Sequence, residues 1–384
     1  EPAGDGALAA IYLDVGREHE LGAWVKVGGP GFADIDVSPA AIAAATEEPG
    51  QIHGVELERS NQGGVTAVTF THRSFLVERT LRYDVEQQTV SVVREKPIPG
   101  MNDLAVHRIE VPGTADGGTS IDTFAWVIGP KTVKPDTPLP AFLAMYGCCG
   151  QSMSAGRLFR QNAAYGALAR ADGDWPGAWI IVPADVGQRA RTAPAQREIV
   201  LAALRAADRQ GLTRPGQVGF VRESGGATNA IIMVLDAAAG YVATLKQLGP
   251  TAPPPAFSPP LDHLVVRSPV ATHQTRGARF YGAPEFGAQD LRQRAQALLD
   301  EIESLPDPQK DAVRRALGRV AIELSGGADD DAMRISATQH LAALLKAAGF
   351  RTTFVGADRE GHFFPPAYLM DRVAHLKRTW APRP

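Results

Sequence analysis

One serine lies at a sharp turn between an apolar strand and a helix, in the segment QVGFVRESGGATNAIIM, residues 217–233. A serine hydroxyl is a poor nucleophile until a neighbouring imidazole accepts its proton. At such a turn the oxygen of Ser224 is lifted clear of the sheet, and the free N–H groups of the helix start face a developing oxyanion. Gly225 and Gly226 let the backbone approach a substrate closely. The segment therefore predicts a nucleophile at Ser224, with a helix-capping serine as the alternative.

Two further polar sites follow later strands, in the chain order of an α/β-hydrolase triad. The acidic cluster Asp329–Asp331 follows the strand RVAIELSGG, and His362 follows RTTFVGA inside DREGHFF. Polar groups at the carboxyl ends of strands meet at one edge of an open α/β sheet. An imidazole needs a carboxylate that fixes its tautomer and stabilises its charged form. The alternatives are a solvated turn for at least two of the three acids and a surface position for His362.

A metal site is a weaker interpretation of the same acids. Asp329–Asp331 combined with His273 or His340 matches no known spacing of metal ligands. We therefore expect neither a metal nor a cofactor.

The composition indicates a globular protein without a nucleic-acid partner. The chain has 384 residues, a net charge of −3 and 44% hydrophobic residues, so it carries no strongly basic surface for nucleic acid or for an anionic membrane. No run of 18 apolar residues is present, and we expect no membrane span. Cys148 and Cys149 are adjacent and cannot link distant segments. The start at Glu1 rather than at methionine favours a secreted or periplasmic protein or a trimmed chain, and a cytoplasmic location stays open.

The chain changes character near residue 105. Residues 1–104 carry short alternating stretches such as GGVTAVTF, typical of antiparallel strands, and one predicted helix in SPAAIAAATEEPG. From residue 105 onwards apolar strands alternate with amphipathic helices. The predicted helices are AQREIVLAALRAADRQ, GGATNAIIMVLDAAAG, AQDLRQRAQALLDEIE, DPQKDAVRRALG, SATQHLAALLKAAG and PAYLMDRVAHLKR. The predicted strands are AVHRIEV, SIDTFAWVIG, LPAFLAMYG, AWIIVPADV, QVGFV, DHLVVRSPV, RVAIELSGG and RTTFVGA. This alternation predicts an α/β fold with a mostly parallel central sheet covered on both faces.

These residues resemble the prolyl oligopeptidase family of serine peptidases from about residue 74 to the C-terminus. The likeness rests on an ordered set of segments: RIEVPGTADGGTSIDTFAWVIGP, MYGCCGQSMS, RPGQVGFVRESGGA, FYGAPEF, GGADDDAMRIS and AGFRTTFVGADREGHFF. The resemblance implies an α/β-hydrolase domain over residues 105–384. It also implies Ser224 as nucleophile, His362 as general base and Asp330 as the orienting acid, with Asp331 one residue away as the fallback.

Three departures from the family pattern concern the site. Arg222 replaces a glycine two residues before the serine and should strain the turn; a slip by one residue would instead align Glu223 with the nucleophile. The family's oxyanion-hole tyrosine matches Cys148 here, although Tyr146, two residues earlier, shares its face on an extended backbone. Losing one such donor typically costs about 10²–10³ in rate.

The third departure is a missing glycine-rich segment after AWIIV, where PADVGQRARTAPAQRE stands. The N-terminal 104 residues are also too short for a complete propeller of four-stranded blades. We expect residues 1–104 to be a β-rich accessory region, either a propeller remnant or a cap.

The sequence thus predicts a serine hydrolase that cleaves peptide bonds, with a post-proline preference implied by the resemblance alone, or ester bonds. Gly225 and residues near Cys148 would supply the oxyanion hole, and Arg222 or Arg189 would bind a substrate carboxylate. Two alternatives remain: a hydrolase-fold binding module with weakened or lost turnover, and a small-molecule esterase or acyl transferase. The natural substrate and the oligomeric state do not follow from the sequence.

Overall fold

The protein is described by a computed structural model. The described residues are 2–3, 7–13, 23–28, 35–37, 50–62, 64–114, 120–144, 162–183, 193–249, 252–269, 291–330, 335–358 and 361–381.

The chain divides into two compact units. The first comprises Glu1–Val106 together with Met153–Gly166, and the second comprises His107–Ser152 together with Ala167–Pro384. The predicted boundary between residues 104 and 105 stays a prediction, and every described residue of the candidate site lies in the second unit.

The first unit contains two four-stranded antiparallel sheets. One has the strand order β1-β2-β3-β4 and the other β5-β6-β7-β8. The strands are β1 (Pro2–Ala3), β2 (Ala7–Leu13), β3 (Ala23–Gly28), β4 (Ile35–Val37), β5 (Gly50–Arg59), β6 (Val65–Ser74), β7 (Val77–Asp84) and β8 (Thr89–Pro97). The helix predicted in SPAAIAAATEEPG lies outside the described residues.

An eight-stranded sheet forms the second unit's centre, in the order β16-β15-β14-β13-β11-β12-β10-β9. Its strands are β9 (Leu104–Thr114), β10 (Ser120–Pro130), β11 (Leu139–Leu143), β12 (Trp179–Pro183), β13 (Thr213–Glu223), β14 (His263–Arg267), β15 (Ala321–Gly327) and β16 (Arg351–Asp358). Each of the eight predicted strand segments overlaps one of these strands.

The sheet is mixed, because it combines parallel and antiparallel neighbours, and the mostly parallel sheet stays a prediction. The neighbouring pairs from β12 through β11, β13, β14 and β15 to β16 are parallel, whereas β10 pairs with β12 in the antiparallel direction. Strands β9 and β10 are also neighbours in the sheet. The connection between Thr114 and Ser120 is too short for the crossover helix that a parallel pairing of two successive strands requires. The parallel part carries β13 to β16, whose carboxyl ends lie along one edge.

Helices follow these strands along the chain, with one exception at the positions that the 3.6-residue periodicity predicted. They are α1 (Asn162–Ala169), α2 (Ala193–Arg209), α3 (Ser224–Leu248), α4 (Leu291–Glu303), α5 (Asp307–Leu317), α6 (Ile335–Ala348) and α7 (Pro366–Trp380). Only α1 was not predicted. Helix α3 is long and apolar enough to cross a membrane by length and composition, but 67% of its apolar window is buried inside the protein, as in a core helix.

Tight packing beneath β13 fixes the strand that leads to the site. A Cβ on Gly219 would come within 2.5 Å of the Phe142 ring and 3.0 Å of Trp380, so only glycine fits this close approach. Strands β11 and β12 are buried along their whole length, which explains their unbroken apolar sequences.

Candidate active site

Ser224 occupies a strained turn between strand β13 and helix α3. Its backbone φ is +59°, in the left-handed region that side-chain-bearing residues rarely adopt. The residue is 0% exposed, and its Oγ hydrogen-bonds to no described residue. The N-cap of α3 is Glu223, with an extended backbone and no side-chain capping bond. Ser224 is therefore not a capping serine, because its Oγ accepts no hydrogen bond from the N–H groups of the described first turn of α3.

Asp330 and His362 form a hydrogen-bonded pair. His362 Nδ1 lies 2.9 Å from Asp330 Oδ2, and the Asp330 side chain is only 2% exposed. Asp329 is exposed to solvent, so of the two described acids only Asp330 has the burial and contact of an orienting carboxylate. His362 Nε2 is buried and has no hydrogen-bond partner among the described residues. The ring nitrogen that would accept the serine proton is thus unoccupied.

The order of the strands brings these groups to one edge. Ser224 follows β13, Asp330 follows β15 and His362 follows β16, with β14 between the serine and the acid. The ends of β13 and β14 are in register, since Glu223 is paired with Arg267. The carboxyl ends of parallel strands are the usual position of ligand sites in such sheets.

Arg267 holds the backbone immediately before His362. This residue ends β14 and is 0% exposed. Its Nη2 donates to the carbonyl oxygen of Gly361 at 2.9 Å, and its Nε approaches the same oxygen at 3.3 Å. The histidine is consequently fixed at two points, through its ring by Asp330 and through its preceding peptide by Arg267.

The segment after His362 is anchored to the sheet through helix α7. Tyr368 Oη donates to Glu323 Oε1 at 2.6 Å, and Arg372 Nη1 donates to Glu323 Oε2 at 3.2 Å. Burial, and then the hydrogen bond with Glu323, raises the pKa of Tyr368 above its usual range, so the hydroxyl stays a donor. This anchor fixes the C-terminal side of the histidine loop on β15.

Arg222 does not strain the turn as the sequence analysis expected. It is part of β13, is paired with Val266 on β14 and is 1% exposed, while the positive φ falls on Ser224. The expectation was wrong because the strand continues to Glu223, so Arg222 lies in extended backbone where a large side chain is allowed. The slip that would make Glu223 the nucleophile is likewise disfavoured, since Glu223 is the extended N-cap residue.

The oxyanion-hole candidates are only partly described. Gly225 lies in the first turn of α3, where backbone N–H groups have no intrahelical acceptor. Cys148 and Tyr146 lie outside the described residues, as do Asp331, Arg189 and His273. No group of three potential metal ligands occurs in the described part of the chain.

Sequence reasoning missed Arg267 and a second strained serine beside it. Ser268 has a φ of +46°, is 1% exposed, and its Oγ contacts no hydrogen-bond partner among the residues described. The segment VVRSPV contained the signal, since a polar Arg-Ser pair directly follows the apolar run of a fully buried strand. Buried hydroxyls without partners are rare and call for an explanation. An experiment that assigns the nucleophile to Ser224 must therefore also exclude Ser268.

Known structures resemble this chain in fold and only distantly in sequence. Prolyl oligopeptidase B from Galerina marginata matches 99% of this chain and 48% of its own length, with a TM-score of 0.57 and 14% identity. A post-proline cleaving enzyme from Rickettsia typhi matches 99% of this chain and 51% of its own length, with a TM-score of 0.57 and 10% identity. Oligopeptidase B from Leishmania major matches 97% of this chain and 49% of its own length, with a TM-score of 0.56 and 12% identity.

The chain therefore spans about half the length of the peptidases that it resembles. No protein-family model and no curated protein matches the sequence. At such low identity the likeness concerns the fold alone. The resemblance expected from the sequence is confirmed at that level: the chain has the fold of the prolyl oligopeptidases and oligopeptidase B.

Proposed function

We propose that this protein is a serine hydrolase of the peptidase type, acting through Ser224, His362 and Asp330. The observation that carries the proposal is Ser224 in the left-handed conformation at the strand-to-helix turn, at the sheet edge that also carries the hydrogen-bonded Asp330–His362 pair. A strained residue persists only where the surroundings enforce it, and such residues cluster at functional sites.

The proposed reaction passes through an acyl-enzyme. Ser224 Oγ attacks the carbonyl carbon of the substrate while its proton moves to His362 Nε2. The tetrahedral intermediate collapses, the C–N or C–O bond breaks, and the leaving amine or alcohol takes that proton from Nε2. Water then attacks the acyl carbon and gives a proton to Nε2, and the carboxylic acid leaves as Ser224 Oγ takes that proton from Nε2. Asp330 stays ionised throughout and accepts the hydrogen bond from Nδ1–H.

The N-terminus of α3 supports the same chemistry. The N–H of Gly225 and the positive end of the helix dipole favour the negative charge that develops on the substrate oxygen. Helix α3 has no acidic residue in its first turn, so no carboxylate on that turn opposes this charge.

Peptides are the proposed substrates, because the similar structures are named as prolyl oligopeptidases, an oligopeptidase and a post-proline cleaving enzyme. A hydrolysis assay with two substrates tests the proposal. We expect wild type to release the fluorophore of a Gly-Pro amide and to give a burst of p-nitrophenol from p-nitrophenyl acetate. Ser224→Ala and His362→Gln should each lower kcat at least about 10³-fold. A folded wild type that is inactive on both substrates would refute the proposal.

A binding module with lost turnover is the second candidate. One observation favours it: Ser224 Oγ and His362 Nε2 are both buried, and neither hydrogen-bonds to any described residue. In unliganded enzymes this bond is often long and tightens only with substrate. Substrate turnover separates the two candidates, and ester turnover without amide turnover would identify the esterase alternative.

A further inference from the structure

A cavity of about 790 Å³ lies far from the candidate triad. It is open to solvent on one side and is lined by α2, the middle of α3, the start of β13 and the proline-rich connection 252–262. Leu204, Met233 and Phe257 supply apolar wall. Its volume falls in the range of small-molecule sites, about 300–1,000 Å³. Because strands rise about 3.3 Å per residue, the lining residue Val218 is roughly 20 Å along the strand from Ser224, so this is a separate site.

Arg197 places a buried cation in the wall of this cavity. The residue is 8% exposed, and its Nη1 donates to Asn229 Oδ1 at 3.2 Å. Within the described ranges it forms no ion pair with a carboxylate. Burial lowers the pKa of Arg197, the effect expected where a charge has lost water without full compensation. A buried charge is costly unless a counter-charge or several hydrogen bonds replace the lost water.

The carboxylates that line the cavity are already engaged elsewhere. Asp236 pairs with Arg294 at 2.9 Å, and Glu198 pairs with Arg205 at 3.8 Å. The Thr213 hydroxyl donates to Asp208 at 2.7 Å, and the Val218 N–H donates to Asp262 at 2.9 Å. Asp236 and Glu198 act on Arg197 only through space. Arg197 therefore keeps donors that no described residue uses, at the wall of a partly apolar cavity.

We propose that this cavity binds a small organic acid, with Arg197 holding its carboxylate and Phe257 and Leu204 packing against its apolar body. A planar guanidinium can bind a carboxylate through two parallel hydrogen bonds. An aromatic or aliphatic carboxylic acid matches both features, whereas a neutral ligand would bring no negative charge to the guanidinium. The proposal does not depend on the triad, and a catalytically silent protein would still bind the acid.

Titration calorimetry with 3-phenylpropionate and its amide, 3-phenylpropionamide, tests the proposal on the intact chain. The two probes share the same apolar body and differ only in the carboxylate or amide group, so the ratio of their affinities isolates the recognition of the carboxylate. A charge-assisted hydrogen bond corresponds to roughly 10- to 100-fold in affinity. We expect the acid to bind at least about 10-fold more tightly than the amide.

Two variants assign that preference to Arg197. Arg197→Gln should abolish the preference for the acid, and Arg197→Lys should retain part of it. Arg205→Gln is the matched control, because Arg205 lines the same cavity but is 59% exposed and faces Glu198; it should bind like wild type.

Equal binding of acid and amide by wild type, or no binding of the acid at roughly 10 mM, would overturn the proposal. An unchanged preference in Arg197→Gln would overturn it as well. Arg197→Gln loses the bond to Asn229 and could fail to fold for that reason. In that case the ratio of acid affinity to amide affinity, measured in wild type and in Arg197→Lys, still tests the proposal.

Discussion

Replacing Ser224 should make the protein more stable while abolishing its activity. Two costs are concentrated at this residue: a positive φ of +59° and a buried Oγ that bonds to no described residue. A side chain in the left-handed region costs about 1–2 kcal/mol, and a buried unpaired hydroxyl costs about 1–3 kcal/mol. A helix-capping serine behaves in the opposite way, since its replacement by alanine destabilises a protein by about 1 kcal/mol.

The two smallest side chains separate these costs. Ser224→Ala removes the hydroxyl and keeps the backbone strain, so we expect a gain of about 1–3 kcal/mol in the free energy of unfolding. Ser224→Gly also removes the strain but adds about 0.5–1 kcal/mol of unfolded-chain entropy. The glycine variant should therefore be as stable as the alanine variant or more stable, by up to about 1.5 kcal/mol.

Urea unfolding followed by tryptophan fluorescence measures this difference. Of the five tryptophans, all but Trp24 lie in the second compact unit, so the signal reports mainly the unit that contains Ser224. Ser304→Ala, an exposed serine after α4, is the control and should change the stability by less than about 0.5 kcal/mol. If both variants at Ser224 are destabilised by more than about 1 kcal/mol, the serine is a structural residue and our reasoning about the turn is refuted.

Three further predictions concern charged and titrating groups. Asp330→Asn should lower kcat about 10⁴-fold through the wrong tautomer of His362; a loss below tenfold in a steady-state assay would contradict the triad. Arg267→Met, which releases the Gly361 carbonyl, should lower kcat about 10- to 100-fold with little change in KM, and Arg267→Lys should recover part of it. Burial lowers the pKa of His263 to about 4, below its unfolded value. The unfolded chain therefore binds the proton more tightly than the folded protein does. Up to about 3 kcal/mol of stability is present above about pH 6.5 and is lost as the pH falls towards 4. In urea unfolding, His263→Gln should make the free energy of unfolding depend less on pH over this range.

Most of the second unit could be predicted from its sequence because its strands and helices differ clearly in pattern. Fully buried parallel strands are continuous apolar runs, and the covering helices repeat every 3.6 residues. The resemblance implied Asp330 as the orienting acid, and in the structure that carboxylate lies 2.9 Å from His362 Nδ1.

The remaining features depend on side-chain contacts between distant segments. Arg267 reaches Gly361 across 94 residues of chain, and no local spacing predicts such a bond. Strand β13 extends two residues beyond the predicted strand QVGFV and ends at Glu223. Arg222 is therefore part of the strand, and the positive φ falls on Ser224. Secretion, the domain boundary and the roles of Tyr146 and Cys148 stay predictions.

Covalent labelling with a fluorophosphonate tests the central claim most directly. The reagent loses fluoride when an activated serine oxygen attacks its phosphorus, so it marks a deprotonated hydroxyl beside an imidazole. We predict one label per chain on the peptide containing Ser224, absent from Ser224→Ala and much slower in His362→Gln. A folded wild type that takes no label, or a label that persists on Ser268 in the Ser224→Ala variant, would contradict the account.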